Sequence, residues 1–153
     1  MNHLIGDMLE IADEKRLHTM ELLRLTKEQT MLLAEEDVEK LECYLTYKQN
    51  IICRVDSLDA RYRELIQRVL SENNVYCLED IREDSRIRRI LEINIKTKNI
   101  MEEMLETDKK NSEMGKRLLE KLGNALNHAD MAPMASRAYH SDLPLAFFID
   151  RPS

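Results

Sequence analysis

The chain has 153 residues, a length near that of one domain, and 34 % of them are charged while only three are glycine and three proline. That composition suits long helices joined by few turns and leaves little room for a sheet. A formal net charge of −6 argues against a general nucleic-acid binder, because phosphate contacts need a surplus of Lys and Arg on one face, and a basic or mainly apolar partner fits better.

From Leu4 to about Leu33, the residues Leu4, Met8, Ile11, Leu22, Leu25 and Leu32 recur on one helical face, with Lys15, His18 and Gln29 at the same spacing. A second line through Ile5, Leu9, Ala12, Leu23 and Leu33 lies beside it, so the apolar stripe is broad enough to touch more than one partner. Ala34 to Glu36 read as a turn. Asp37 can accept the free N–H groups of the next helix start, and Glu36 and Glu39 suit the positive end of its dipole.

Residues 37–70 carry the clearest pattern. Positions 38, 41, 45, 48, 52, 55, 59, 62, 66 and 69 read Val, Leu, Leu, Lys, Ile, Val, Asp, Tyr, Ile and Val, a seam that a helix keeps on one side and that no glycine or proline interrupts. Such a rod is about 50 Å long and can hide its seam only against other helices, the first of them expected to form an antiparallel hairpin with it. Lys48 and Asp59 interrupt the seam eleven residues apart, too far to pair within one helix, so they are expected to reach solvent or a facing helix.

Ser71 to Asn74 favour a helix end, and Val75 to Leu78 are expected to pack under that break. Asp80 or Asp84 can start a third helix that reaches about residue 126 and carries Ile87, Ile90, Leu91, Ile95, Met101, Leu105, Leu118, Leu119, Leu122 and Leu126. Its middle, Thr107 to Gly115, is polar: Asp108, Ser112 and Gly115 stand where apolar residues are expected, which predicts a local break or an exposed hinge. The fold class expected is all-α, an elongated antiparallel three-helix bundle or coiled coil over 1–126, followed by an irregular tail over 127–153. That tail scatters Asn127, Pro133, Ser136, Ser141, Pro144 and Pro152, yet holds Tyr139 and an apolar group of Leu143, Leu145, Phe147, Phe148 and Ile149. Apolar aromatic surface is costly to leave in water, so the group is expected to dock.

Chemistry is sparsely signalled. His3, His18, His128 and His140 offer neither an H-x-x-x-H face nor a Glu-x-x-His motif, so no metal site and no cofactor are expected. His18 reads as half-buried with its polar tip at the seam edge. Cys43, Cys53 and Cys77 are odd in number and form no C-x-x-C pair, which signals neither a disulfide framework nor zinc and suits a reducing cytoplasm. A glycine-rich phosphate loop and a G-x-S-x-G elbow are both missing, so no enzyme is expected. Arg82, Arg86, Arg88 and Arg89 interleave with Glu79, Asp80, Glu83, Asp84 and Glu92 and read as a solvated face with local ion pairs. Met101, Met104, Met114, Met131 and Met134 offer adaptable apolar surface. The longest apolar run, Leu143 to Ile149, contains Pro144 and is far too short for a bilayer, and no secretory signal is visible, so a soluble cytoplasmic protein is expected.

From Leu22 to Leu70 the sequence LLRLTKEQTMLLAEEDVEKLECYLTYKQNIICRVDSLDARYRELIQRVL resembles the FlgN-type flagellar export chaperones, through Leu22, Leu25, Glu28 and Leu32, the turn acid Asp37, then Leu41, Lys48, Ile52 and Leu58. The resemblance implies a non-enzymatic bacterial protein that holds hook-filament junction subunits of the FlgK and FlgL type unassembled and presents them to the type III export gate. It further implies that the cargo's C-terminal amphipathic helix lies mainly on the long third helix, and that Tyr139 by position meets a gate protein of the FlhA type. An over-wide apolar stripe on three helices independently suits the helix-in-groove mode of recognition. The candidate groove residues are Ile95, Ile100, Met101, Met104, Leu105, Leu118, Leu119 and Leu122, with Leu143, Leu145, Phe147, Phe148 and Ile149 as a tail segment able to lie in the same groove. The alternative is a coiled-coil adaptor that homodimerises through the same stripe; an enzyme would require a deep pocket with convergent polar groups.

Overall fold

Between Gly6 and Gly115 the chain holds neither glycine nor proline, so its helices can be stopped only by polar caps and by residues that tolerate a left-handed backbone. In the computed structural model, which describes residues 2–125, they are stopped twice. The result is α1 (Asn2–Glu35), α2 (Val38–Asn73), a short 3-10 turn (Leu78–Ile81) and α3 (Ser85–Ala125), with no strand among the described residues.

Both helix ends use one device. Glu36 and Asn74 take left-handed φ values of 59° and 53°. At the first, Glu36 N–H donates to Leu33 O and Asp37 N–H to Leu32 O; at the second, Asn74 N–H donates to Ser71 O and Val75 N–H to Leu70 O. These paired bonds occupy carbonyls that the last turn would otherwise leave open. Asparagine suits the position, whereas a glutamate there carries a Cβ penalty. Asp37 then caps α2 as expected, its carboxylate accepting from Lys40 N–H at 3.1 Å. The expected turn at Ala34–Glu36 is narrower than the sequence indicates, since α1 runs through Glu35.

Of the two acids able to open the third helix, Asp84 does so, accepting from Arg86 N–H at 2.9 Å. Asp80 falls inside the 3-10 turn. Within the expected packing segment Val75 to Leu78, only Leu78 is buried, and Tyr76 is 98 % exposed.

The core divides into three clusters, each fed by all three helices. One gathers Leu4, Ile5, Met8 and Ala12 of α1, Ile66 and Val69 of α2, Leu78, and Ile87, Ile90 and Ile93 of α3. The next joins Leu22 and Leu25 to Ile51, Ile52 and Val55 and to Met104. The last joins Leu32 and Leu33 to Val38 and Leu41 and to Leu118. At about 25 cal/mol per Å² of apolar surface removed from water, these clusters are the main source of stability. The α2 seam is buried at Val38, Leu41, Lys48, Ile52, Val55, Asp59, Ile66 and Val69, while Leu45 and Tyr62 are half-buried. The broad stripe read on the first helix meets two neighbours: α1 packs closely along both α2 and α3, whereas α2 and α3 approach each other much less. The central element is therefore α1.

The expected break or exposed hinge in the third helix is absent. Helix α3 is unbroken over its 41 residues, and Asn111 and Gly115 in its polar middle are buried. Asp108 and Asn111 there find partners on the other helices, so nothing forces the helix open.

Candidate functional site

The eight groove residues do not share one open face. Met104 and Leu118 are buried core. Met101 and Leu105 are half-buried against the cluster containing Met104, and Leu122 against the one containing Leu118. Ile100 and Leu119 are also half-buried, while Ile95 is 63 % exposed. Helices α1 and α2 cover the centre of the stripe. What they leave is its edge. Met101 and Leu105 are one turn apart, and Leu119 follows Met101 by five turns on the same side of the helix. Tyr139, the tail group Leu143, Leu145, Phe147, Phe148 and Ile149, and Met131 and Met134 lie outside the described residues.

Between the second and third clusters the structure places a polar layer. The ammonium of Lys48, 2 % exposed, donates to Asp108 Oδ1 at 2.7 Å and to Gln29 Oε1 at 3.3 Å. Burial pushes the Lys48 ammonium below its usual pKa, and the Asp108 carboxylate only partly restores it. The second oxygen of Asp108, Oδ2, is buried without a hydrogen-bond partner. Beside this trio, Asn111 donates through Nδ2 to Thr26 O at 2.9 Å and accepts from Thr30 Oγ1 at 2.5 Å. Further along, Lys15 Nζ meets Asp59 Oδ1 at 2.8 Å. Lys48 and Asp59 thus each reach a facing helix, as one of their two sequence readings has it.

A desolvated lysine can serve as a nucleophile or base. Lys48 is not placed for that work, since its Nζ is engaged by two partners and closed off from solvent. The trio is structural in its geometry. Among the described residues no group of three or more His, Cys, Asp and Glu side chains could hold a metal ion.

The surface repeats the same theme of local pairing. His18 is half-buried with Nε2 at 3.6 Å from Glu14. Arg86 pairs with Asp84 at 3.0 Å, and Arg82 Nε donates to Glu79 O, in keeping with a solvated face. Leu17, Met20, Met31 and Tyr47 are exposed singly along α1 and α2, which is ordinary for a protein surface. No helix among the described residues is long and apolar enough to cross a membrane.

Sequence reasoning missed Asn111 and its partners Thr26 and Thr30. A signal was present: Gln29, Lys48 and Asp108 are each among the polar interruptions of three successive apolar stripes, and the folded chain brings the three together. Comparisons with protein-family models, with curated proteins and with solved structures find no match for this chain.

Proposed function

We propose that the chain is a non-enzymatic export chaperone of the FlgN type, which holds the C-terminal amphipathic helix of a hook-associated protein of the FlgK or FlgL type. The reading takes the three helices as an up-down-up antiparallel bundle, a topology supported by the membership of the three clusters: the start of α1 with the end of α2 and the start of α3, and the end of α1 with the start of α2 and the end of α3.

One observation carries the proposal. The apolar stripe of α3 is wider than its two neighbours cover, leaving Met101, Leu105 and Leu119 half-buried along one edge. A further amphipathic helix laid on that edge would complete their burial, which is how a groove selects a helical partner. Tyr139 is the proposed contact to an FlhA-type gate protein, with assembly and hand-over in the bacterial cytoplasm.

Co-expression with a hook-associated cargo followed by sizing chromatography tests the reading. A one-to-one complex is expected, and Met101→Asp with Leu105→Asp should abolish it while leaving the helical circular dichroism signal in place. A tight homodimer that never co-elutes with cargo would favour the coiled-coil adaptor instead.

A further inference from the structure

The three helices do not close on one another equally. Helix α1 packs along both partners, while α2 and α3 approach each other much less, and two long polar contacts cross between them: Lys48 Nζ to Asp108 Oδ1 at 2.7 Å and Asn94 Nδ2 to Tyr62 Oη at 3.1 Å. The side between α2 and α3 is therefore the open one. Met101 stands one heptad from both Asn94 and Asp108 and so faces that side. Leu105 follows Met101 by one turn, and Leu119 follows Leu105 by two heptads, so the half-buried edge of α3 runs along the opening.

The same chain carries a segment whose length and pattern suit this edge. Helix α3 ends at Ala125, three residues past the half-buried Leu122, so the chain leaves the bundle at one end of the edge. Residues 126–142 then precede the group Leu143, Leu145, Phe147, Phe148 and Ile149, which holds both phenylalanines of the protein. At about 3.3 Å per residue that stretch reaches up to about 56 Å, whereas Leu119 lies about 9 Å and Leu105 about 30 Å back along α3. Pro144 disfavours a helical backbone at Leu143, and Leu143, Leu145, Phe147 and Ile149 alternate, so an extended segment turns all four to one side. Extended, residues 143–149 cover about 23 Å, against about 21 Å from Leu105 to Leu119.

We propose that Leu143, Leu145, Phe147 and Ile149 lie extended along the α3 edge of Met101, Leu105 and Leu119 in their own chain, running antiparallel to α3. Both surfaces are costly to leave in water, and a short tether holds such a segment at a roughly millimolar local concentration, which favours it over a second copy or a separate helix present at micromolar levels. A helical partner must then displace the tail, so its apparent affinity is set by the fraction of chains whose edge is bare. The proposal rests on the α3 edge that the preceding reading uses, and on no cargo.

The full chain with Phe147→Trp tests this, because the protein has no tryptophan of its own and the introduced indole reports its own surroundings. Docking predicts emission at shorter wavelength than in the urea-unfolded chain and several-fold weaker quenching by acrylamide. Leu105→Asp and Leu119→Asp should each return both readings to the unfolded values with the helical circular dichroism retained, whereas Leu17→Asp, at an exposed position on α1, should change neither. An indole as quenched in the folded chain as in urea overturns the proposal, and so does shielding that survives both edge aspartates. A cross-link leaves the edge intact and covers the case in which the aspartates unfold the bundle. With Cys43→Ser, Cys53→Ser and Cys77→Ser, a short bis-maleimide should join Lys109→Cys, exposed one turn past Leu105, to Asp150→Cys within one chain. That reaction should run several-fold faster than for Met20→Cys, exposed on α1, with Asp150→Cys. Equal rates, or product formed only between chains, overturn the proposal. No cargo enters either measurement, so a failure of cargo binding and a failure of tail docking are read separately.

Discussion

Asn111→Ala offers the sharpest measure of how α3 is tied to α1. The side chain is fully buried and makes two bonds across the helix pair, to Thr26 O and from Thr30 Oγ1. Each such bond contributes about 1 kcal/mol net. The truncation also leaves a void close to the volume of one water, roughly 30 Å³, which at about 24 cal/mol per Å³ adds about 0.7 kcal/mol. Thr30 keeps a bond to Thr26 O at 3.2 Å, so its hydroxyl is not orphaned and no further penalty follows. Alanine is the better helix former by about 0.6 kcal/mol, and the net loss comes to about 2 kcal/mol. For a chain of this length that corresponds to a fall in Tm of about 4–8 °C. Thermal unfolding followed by circular dichroism at 222 nm reads it directly, with Lys109→Ala, at an exposed position two residues away, as a control expected within about 0.5 kcal/mol of wild type. If Asn111→Ala melted within about 1 °C of the control, the bond between α3 and the main chain of α1 would not exist in solution.

Three further outcomes follow from the same structure. Met104→Ala, at a fully buried position in the cluster with Leu22, Ile52 and Val55, should cost about 2–5 kcal/mol in urea unfolding; a loss below 1 kcal/mol would mean the cluster is not packed as described. Asn74→Ala forces a Cβ-bearing residue with no local polar tip into a left-handed φ of 53° and should cost about 1 kcal/mol, whereas Asn74→Gly should be near neutral; equal effects of the two would refute the helix-end geometry. The Arg86 guanidinium bonded to Asp84, and next the backbone N–H of Arg86, outweigh desolvation and hold the Asp84 carboxyl below the usual carboxylate range. The folded protein therefore binds fewer protons there than the unfolded chain, and the stabilisation is complete at neutral pH and fades as pH falls below about 4. The stability gap between wild type and Asp84→Asn should narrow along that acid limb, and a gap independent of pH would remove the ion pair from the account.

Local chemistry was legible wherever one segment held both the cause and the consequence. The heptad seam of α2, the Asp37 cap, the helix end at Asn74 and the length of α3 all depend on residues within a few turns of one another. The polar middle of α3 was visible as well, but its meaning was not: Asp108 and Asn111 look like a hinge until their partners at Lys48, Thr26 and Thr30, 60 to 85 residues away, are brought beside them. The same limit applies to the groove residues. Periodicity identifies an apolar stripe on α3, yet only the packing of α1 and α2 decides that Met104 and Leu118 are inside and that Met101, Leu105 and Leu119 form the remaining edge.

By itself, the sequence determined that the described residues 2–125 are built from long helices: composition, caps and the absence of glycine and proline from residue 7 to residue 114 act through the local backbone, whose preferences need no partner. Only the tertiary structure decided that α1, not the more regular α2, is the helix on which both others pack, and that one charge from α2 and one from α3 meet in the interior. A repeating seam is compatible with several partners, because apolar contact is non-directional. What the packing adds is the pairing of directional groups, such as Lys48 with Asp108, that lie on different helices.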